Sequence, residues 1–424
     1  MRSTNDYAFR VKNKAESLGT RGAKVRSMKI IYCICETYNP GGMERVLLNK
    51  VRYLVEQHGY DITVVTTDQN GRAPFYPFPE KVKMVDLGIN YSDDNTKGVF
   101  TKISNYLRKR RVHRQRLTEL LMAEKADIVV SLYPSESSFI PSIKDGSKKV
   151  LEIHYCKYFR LQYGRRGLLG AIDRFRTWQD EQIVRRFDKF VVLSQEDRGY
   201  WGKMHNLEVI PNAALFMGEN YADVSQHRVI AVGRLDYQKG FDRLIEAWRI
   251  IHQHEEYKDW TLDIFGQGEW KEKLQDMIEA CGLQDCVKLN SPTKQIGREY
   301  ANSSMLVMSS NYEGFPMVMI EAMACGLPAV SFDFKCGPKD IIRHGLNGLL
   351  VKNGDIQGLA DAMMHLMADE QLRQRMSAEA RKVVETYSEE VVMQKWVELF
   401  DEVVEGKENK EFKEKKEIKE SEER

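Results

Sequence analysis

Short, continuous apolar runs alternate along the chain with segments whose apolar residues recur at helical spacing. The first run, KIIYCIC at 29–35, leads through a glycine-containing loop into MERVLLNKVRYLVEQHG, where apolar residues recur at i, i+3, i+4 and i+7. Similar runs follow as DITVVTT, ADIVVSLY, KKVLEIHY and FDKFVVLS. Buried parallel strands are apolar throughout because helices cover both faces of their sheet. The pattern therefore predicts a doubly wound, parallel α/β domain.

A second domain of the same class is predicted further along the chain. The pattern pauses near 213–227 and resumes with RVIAVGRL, TLDIFG, CVKLN, MLVMSS and PAVSFD. We place the two domains at 28–215 and 216–388, facing a cleft, because such sheets bind ligands beyond the carboxyl ends of their strands. The helical pattern EEVVMQKWVELFDEVV at 389–404 follows the second sheet. We expect this helix to pack back on the first domain.

Both ends of the chain differ in composition from the part between them. Residues 1–27 are polar and basic, and Met28 could itself be a start, so we expect a disordered leader whose presence in the native protein is open. Residues 405–424 are almost all Lys and Glu. This charged tail is predicted to be either a solvated helix or disordered.

Composition narrows the class of protein. Apolar residues make up 42% and charged residues 30% of 424 positions, with a net charge of +2, as in soluble globular proteins that do not bind nucleic acid. No apolar run approaches the ~20 residues that cross a bilayer, and no secretory signal is present. The seven cysteines form no C-x-x-C pair, which favours free thiols in a reducing, cytosolic compartment over disulfides or a zinc site.

Two cations follow the first strand of the second domain. In AVGRLDYQKG, Arg234 comes directly after the strand and Lys239 lies in the same loop. A guanidinium and an ammonium here suit an anion with several oxygens. Surface ion pairs, for example with Asp236 or Asp242, are the alternative. The next loop carries Gly266 in a G-x-G motif. This motif would allow the backbone to approach a ligand closely, but it is equally compatible with a plain tight turn.

The segment NYEGFPMVMIEAMACG predicts a short buried helix over 316–325. Pro316 suits its first turn and Gly326 its end. Its body is almost wholly apolar apart from Glu321, and Glu313 precedes it. A solvated glutamate is the plain alternative, but a buried carboxylate needs a partner, and ligand hydroxyls are suitable partners.

These motifs together resemble the C-terminal signature of the retaining family-4 glycosyltransferases (group 1), bacterial surface-polysaccharide enzymes of the GT-B fold with two Rossmann-like domains. GRLDYQKG and EGFPMVMIEAMACGLPAV carry the likeness, and ETYNPGGMERVLLNK resembles the family's first glycine-rich loop. The resemblance covers about 28–400 and is most specific over 229–351. It implies an acceptor-binding first domain and a nucleotide-sugar-binding second domain.

The resemblance also implies a role for individual residues. Arg234 and Lys239 would bind the donor's diphosphate and stabilise the leaving group, and Glu313 would contact the donor sugar. Glu321 would hydrogen-bond the ribose. The segment at the helix start, formed by Phe315, Pro316, Met317 and Val318, would bind sugar hydroxyls or phosphate through its available backbone N–H groups.

Three further residues complete the implied site. Gly41 and Gly42 would let the first-domain loop close over the phosphates. His154, at the end of VLEIHY, would lie near the reacting sugar; a packed strand-end histidine is the alternative. Ser291 stands where the family often has glycine, which leaves recognition of the base open.

The chemistry implied is retaining and independent of metals and cofactors. A helix dipole and two cations would stabilise the departing diphosphate, and same-face attack within an ion pair is expected because no covalent nucleophile is evident. UDP is the donor nucleotide most frequent in the family. The competing hypotheses are a nucleotide-sugar epimerase, a phosphorylase on the same architecture, and a non-catalytic sugar-nucleotide-binding protein.

Two basic stretches interleaved with aromatic residues, at 101–116 and 154–178, lie in the predicted acceptor domain. Such stretches suit an anionic membrane surface. A solvated basic helix is the alternative. We therefore expect a cytoplasmic enzyme, peripheral on the inner face of the membrane, with a lipid-linked or polysaccharide acceptor in lipopolysaccharide or capsule synthesis.

Overall fold

A computed structural model describes residues 27–94, 98–132, 135–161, 165–214 and 221–422. The predicted disordered leader therefore lies, but for its last residue, outside the described residues.

The first domain is built on a seven-stranded sheet of order β3-β2-β1-β4-β5-β6-β7, in which every recorded pairing is parallel. Its strands are β1 Lys29–Ile34, β2 Asp61–Thr66, β3 Lys83–Asp86, β4 Ile128–Ser131, β5 Lys148–Glu152, β6 Lys189–Val192 and β7 Leu207–Val209. The second domain has a six-stranded parallel sheet of order β10-β9-β8-β11-β12-β13. Its strands are β8 Arg228–Val232, β9 Thr261–Phe265, β10 Val287–Asn290, β11 Met305–Met308, β12 Ala329–Asp333 and β13 Gly348–Lys352.

Helices connect most successive strands on both faces, as is usual for parallel pairing; among the described residues, no α-helix lies between β2 and β3 or between β4 and β5. Those of the first domain are α1 Gly42–His58, α2 Val99–Glu124, α3 Gly167–Val184 and α4 Gln195–Trp201. Those that follow are α5 Phe241–Ile251, α6 Lys271–Ala280, α7 Ile296–Ala301, α8 Met317–Ala324, α9 Pro338–Ile341, α10 Ile356–Ala368, α11 Glu370–Ala380, α12 Val384–Tyr387 and α13 Glu389–Glu422. Short 3₁₀ turns lie at Tyr91–Asp94, Ile140–Ser142, Glu255–Tyr257 and Arg381–Val383.

The predicted fold class, two doubly wound domains facing a cleft, is confirmed. The C-terminal helix also returns to the first domain, since Val392, Trp396 and Phe400 belong to the core cluster around β1, β2 and β4. This helix continues to Glu422, beyond the predicted end at 404. The Lys/Glu run extends it because both residues are good helix formers. In the part of the chain that the structure describes, no helix has the length and apolarity needed to cross a membrane.

Candidate functional site

A cleft of about 1470 Å³ lies between the domains at the carboxyl ends of β8 and β9. Three predicted donor-site residues line it: Arg234, Gly266 and Glu321. From the first domain, the N-terminal turns of α1 contribute Arg45, and the loop after β2 contributes Phe75 and Tyr76. The predicted ligand position beyond the strand ends is therefore a real cavity, walled by both domains.

Lys239 and Glu313 form a direct ion pair beside this cleft. The Lys239 Nζ lies 2.6 Å from Glu313 Oε1, and the two side chains are only 13% and 7% exposed. Ser310 donates to the same carboxylate oxygen at 2.8 Å, and Gln238 donates to the other at 3.2 Å. Charge-assisted bonds of this kind are strong when water is largely excluded. The predicted diphosphate-binding lysine is thus held in place by the predicted sugar-contacting glutamate.

Arg234 remains open to solvent at the mouth of the cleft. Its side chain is 70% exposed, with Nε 3.4 Å from Asp236 Oδ2, and its Nη2 donates to Gln238 Oε1 at 2.8 Å. The surface ion pair considered from the sequence is therefore present. An exposed pair of this length contributes little to stability, so the guanidinium can exchange Asp236 for an anionic ligand.

Glycines bring the loops of the site into close backbone contact. A Cβ on Gly266 would lie 1.9 Å from the carbonyl oxygen of Gly233, so this position admits no side chain. A Cβ on Gly314, directly after Glu313, would lie 2.1 Å from the carbonyl oxygen of His154. This second contact joins the two domains across the cleft. Glycine is needed at both positions because another loop's backbone approaches too closely for a side chain, and not because of an unusual φ.

Glu321 faces the cleft from the second turn of α8. No hydrogen bond to its carboxylate is recorded among the described residues, and burial raises its pKa to about 7, with Arg45 across the cleft opposing the shift. A partly buried carboxylate without a partner is costly, as argued from the sequence. Burial and the charge of Glu321 also raise the pKa of Tyr300, which lines the same cavity.

The start of α8 differs in detail from the prediction. Pro316 is the N-cap and has no N–H, and the Met317 N–H donates to the carbonyl of Phe315 at 3.0 Å. The Phe315 ring is buried in the core of the second domain. Neither Pro316 nor Met317 therefore has a free amide for a ligand, while Val318 keeps that possibility.

The glycine loop of the first domain lies at the start of α1. Gly41 is the N-cap and Gly42 the first helical residue. A Cβ on Gly41 would lie 2.0 Å from a carboxylate oxygen of Glu44, whereas Gly42 faces open space. Gly41 therefore lets the Glu44 side chain fold over the helix end, and Gly42 leaves the adjoining space free.

His154 follows β5 and lies beside the buried Lys50–Glu152 ion pair. Its Nε2 lies 3.2 Å from Glu152 Oε1, off the line of a hydrogen bond. The Lys50 ammonium donates to both carboxylate oxygens of Glu152, at 2.6 Å each. It also lies over the Trp396 ring, 3.5 Å from the ring centroid, in a cation–π contact. Burial acts to raise the pKa of Glu152, but Lys50 and His154 outweigh it and hold this pKa at about 2. His154 therefore lies beside a carboxylate that stays ionised, and its place near the reacting sugar stays a prediction.

A second cavity, the basic groove, lies in the first domain between α2 and α3. Its volume is about 970 Å³, and its lining combines cations, including Arg110, Arg160 and Arg176, with apolar side chains such as Ile103 and Trp178. Large apolar side chains beside it are more than half exposed, namely Phe100, Leu107, Leu168, Leu169 and Phe175. The basic-aromatic stretches predicted from the sequence therefore converge on one surface.

Sequence reasoning missed several residues of the site. Arg45, Lys50 and Glu152 carry charge into the interior or the cleft, yet each stands inside an ordinary amphipathic helix or apolar strand. The one sequence feature that could have indicated them is a charged residue at a position that the apolar pattern assigns to the core, as at Lys50 and Glu152.

Comparison with known proteins agrees with this architecture. The profile described as "Glycosyltransferase Family 4" matches residues 40–214, and that described as "Glycosyl transferases group 1" matches residues 217–383. The amylovoran biosynthesis glycosyltransferase AmsD of Erwinia amylovora is 28% identical over 391 residues, covering 88% of this chain and 99% of the relative.

Two further proteins are similar over most of the chain. An undecaprenol-linked glycan alpha-1,4-N-acetyl-D-galactosaminyltransferase of Campylobacter jejuni is 24% identical over 386 residues, covering 89% of this chain and 99% of its own. The crystal structure of Anabaena HepE in complex with UDP matches with a TM-score of 0.67 at 18% identity, covering 88% of this chain and all of the other. On the two profiles, the full-length relative and the shared fold, the chain belongs to the group 1, family-4 glycosyltransferases of the GT-B fold.

Proposed function

We propose that this glycosyltransferase transfers a sugar, with retention of configuration, from a UDP-sugar to a lipid-linked or polysaccharide acceptor in surface glycan synthesis. The observation that carries the proposal is the arrangement of charge around the interdomain cleft. Arg234, Arg45 and the unpartnered Glu321 line this cavity, and the Lys239–Glu313 pair lies beside it. UDP is favoured because HepE, which has the same fold, was solved with UDP.

In the proposed complex the donor extends from Glu321 to His154. The carboxylate of Glu321 accepts hydrogen bonds from the two ribose hydroxyls, which satisfies a buried group that otherwise has no partner. Arg234 and Lys239 bind the diphosphate, and the sugar lies between Glu313 and the His154 segment. The contact between Gly314 and His154 fixes the distance between Glu313 and the His154 segment.

The chemical step is departure of UDP from the anomeric carbon, in which negative charge grows on the β-phosphate. Two fixed cations in a partly closed cleft stabilise that charge more in the transition state than in the ground state, which is the condition for catalysis. Charge on the oxocarbenium-like sugar is positive, and the carboxylate of Glu313, paired with Lys239, is the acidic group that we place beside it. The acceptor hydroxyl then attacks from the face that UDP leaves. This route requires no metal or other cofactor.

The basic groove is our candidate for the acceptor side and for contact with an anionic membrane surface. Its arginines suit phosphate groups, and the exposed aromatic and leucine side chains beside it suit a lipid interface. The Campylobacter jejuni relative is named for an undecaprenol-linked acceptor, which supports this choice. The proposal places the enzyme at the inner face of the cytoplasmic membrane.

The test is to incubate the protein with UDP-, GDP- and ADP-sugars, with and without lipid-linked acceptors, and to measure nucleoside diphosphate release. Release of UDP with one UDP-sugar, increased by an acceptor, is expected. Anomeric configuration in the product, read by NMR, decides between retention and inversion. Interconversion of the donor sugar without UDP release would instead indicate an epimerase, and binding without turnover a sugar-nucleotide-binding protein.

A further inference from the structure

A thiol–carboxylate cluster lies where the two domains meet, outside the donor cleft. It consists of Cys156, Asp197 and Cys336, one potential ligand atom from each, all within 4.8 Å of one another. Cys156 follows β5 and Asp197 lies in α4, both in the first domain, while Cys336 follows β12 in the second. The three residues are 1%, 3% and 0% exposed.

The dimensions of this cluster suit a metal with soft ligands. Cys336 Sγ lies 3.6 Å from Asp197 Oδ1. In a tetrahedral zinc site, with Zn–S of about 2.3 Å and Zn–O of about 2.0–2.2 Å, neighbouring ligand atoms stand roughly 3.5 Å apart. A small inward movement of the sulfurs would therefore bring all three atoms to bonding distance.

Hydrogen bonds from neighbouring residues orient the carboxylate, as they orient the ligands of metal sites. The Lys157 N–H donates to Asp197 Oδ1 at 2.9 Å, and the Trp201 indole donates to Oδ2 at 3.1 Å. Asp197 Oδ1 also accepts a hydrogen bond from the Cys336 thiol, so a lone pair on this oxygen becomes available to a metal when that thiol loses its proton. Cys336 itself is fixed by its N–H, which donates to Glu196 Oε2 at 2.9 Å.

From this geometry we infer that Cys156, Asp197 and Cys336 form a three-ligand site for a thiophilic divalent cation such as zinc, which ties the second domain to the first. Binding replaces the two thiol protons, so one M²⁺ enters and two H⁺ leave. Two thiolates and one carboxylate select zinc, cadmium or cobalt over magnesium or calcium. The site is separate from the transfer chemistry and stands independently of the proposed function.

Sequence patterns could not reveal this site, because its two cysteines are far apart in the chain and only the docking of the domains brings them together. The absence of a C-x-x-C spacing, which argued against zinc, concerns sites built from one local segment.

The experiment is titration of chelator-treated, fully reduced protein with Co²⁺, followed by absorption spectroscopy. One equivalent is expected to produce thiolate-to-cobalt charge-transfer bands, which Zn²⁺ then removes. Cys156→Ser and Cys336→Ser should each abolish the bands, while the matched control Cys281→Ser keeps them. Far-UV circular dichroism checks that each variant is folded.

A second readout is thermal unfolding with and without Zn²⁺, since a cation that binds only the folded state raises Tm. We expect Zn²⁺ to raise the Tm of the wild type and of Cys281→Ser, and to leave the Tm of the two site variants unchanged. Bands that persist unchanged in both site variants, or the absence of bands in the wild type, would overturn the inference. So would a thiol count of five instead of seven in metal-free protein, with Cys156 and Cys336 joined as a disulfide.

Discussion

At the scale of single residues, the ionisation of Glu321 governs the pH dependence of donor binding. Burial raises its pKa to about 7, and only the carboxylate form accepts hydrogen bonds from both ribose hydroxyls. We predict that the KM for the donor rises about tenfold per pH unit below pH 7, because a proton must first leave. Glu321→Gln should bind the donor more weakly and lose this dependence. A wild-type KM that is flat between pH 5 and pH 8 would contradict the assignment.

The same raised pKa has a consequence for stability. Between the unfolded and folded pKa values the native protein binds more protons at Glu321 than the unfolded chain, so this group lowers the free energy of unfolding as pH rises from about 4.5 to about 7. Because Gln carries no charge to bury, the Glu321→Gln variant is expected to be more stable than the wild type above pH 7, by up to about 3 kcal/mol. Urea unfolding at pH 5 and pH 8 measures the difference.

Candidate site residues could be predicted from the sequence where they lie next to a strand end or a helix start. Lys239, Glu313 and Glu321 were identified because each follows a strand or opens a helix at the edge where ligands bind. Their mutual contacts were not predictable, since Lys239 and Glu313 are 74 positions apart and meet only when the sheet forms. Arg45 was missed for the same reason: in its own helix it is an ordinary exposed arginine.

At the scale of elements, the buried Lys50–Glu152 pair links α1, β5 and α13. Lys50 and Glu152 are 4% and 1% exposed, and Trp396 of α13 covers the ammonium. Removing one partner leaves a buried, unpaired charge, so Lys50→Met is expected to cost about 3–5 kcal/mol. The double variant Lys50→Met with Glu152→Gln should recover most of the loss. Equal instability of the single and double variants in urea would show that the charges are not coupled.

The loop–loop contact at Gly314 gives a second prediction at this scale. A methyl group there would lie 2.1 Å from the His154 carbonyl oxygen and force the two loops apart. Gly314→Ala is expected to lower kcat/KM on the order of 10- to 100-fold through misplacement, with the fold intact. The matched control is Gly199→Ala, in α4, where a Cβ meets nothing within 4 Å. Similar kinetics in the two variants would contradict the proposed role of the contact.

Helices and strands were predicted better than residue contacts or domain docking, because strands buried on both faces and amphipathic helices have distinct periodicities. The apolar runs fall on the observed strands, and α8 falls within the predicted 316–325. Its N-terminus was less predictable, since Pro316 proved to be the cap and the Met317 amide is used locally. Capping depends on local backbone angles that composition does not specify.

At the scale of the whole molecule, α2 and the basic groove are expected to bind anionic membranes. Within α2, Lys109 is already paired with Asp94 at 2.6 Å and Arg110 donates to Ser138, whereas Arg108 and Arg111 are exposed. We predict that changing Arg108 and Arg111 to Ser weakens binding to anionic vesicles about 30-fold in cosedimentation, since each charge near the surface contributes about 1 kcal/mol. The matched control changes two exposed cations of the second half, Lys258 and Arg375, to Ser.

Vesicle binding that is unchanged in the Arg108 and Arg111 variant, or equally reduced in the control, would remove this surface as the membrane contact. Repeating the experiment with neutral vesicles separates the contribution of charge from that of the exposed apolar residues.

The overall architecture followed from the sequence because two series of buried strands separated by a pause admit few arrangements. How the domains meet did not follow. The contacts between them, such as Gln195 N–H to Asp340 Oδ2 at 2.5 Å and Cys336 N–H to Glu196, join loops and helix ends with no recurring pattern. The cleft and the thiol–carboxylate cluster both depend on that docking.

The most direct measurement of the central claim is UDP release from a UDP-sugar by the wild type and by Lys239→Ala, with Lys288→Ala, an exposed lysine of β10, as the matched control. Loss of one fixed cation from a preorganised leaving-group site is expected to lower kcat about 10²- to 10³-fold. The account predicts release by the wild type and by Lys288→Ala, and this loss in Lys239→Ala alone. Undiminished release by Lys239→Ala would contradict it.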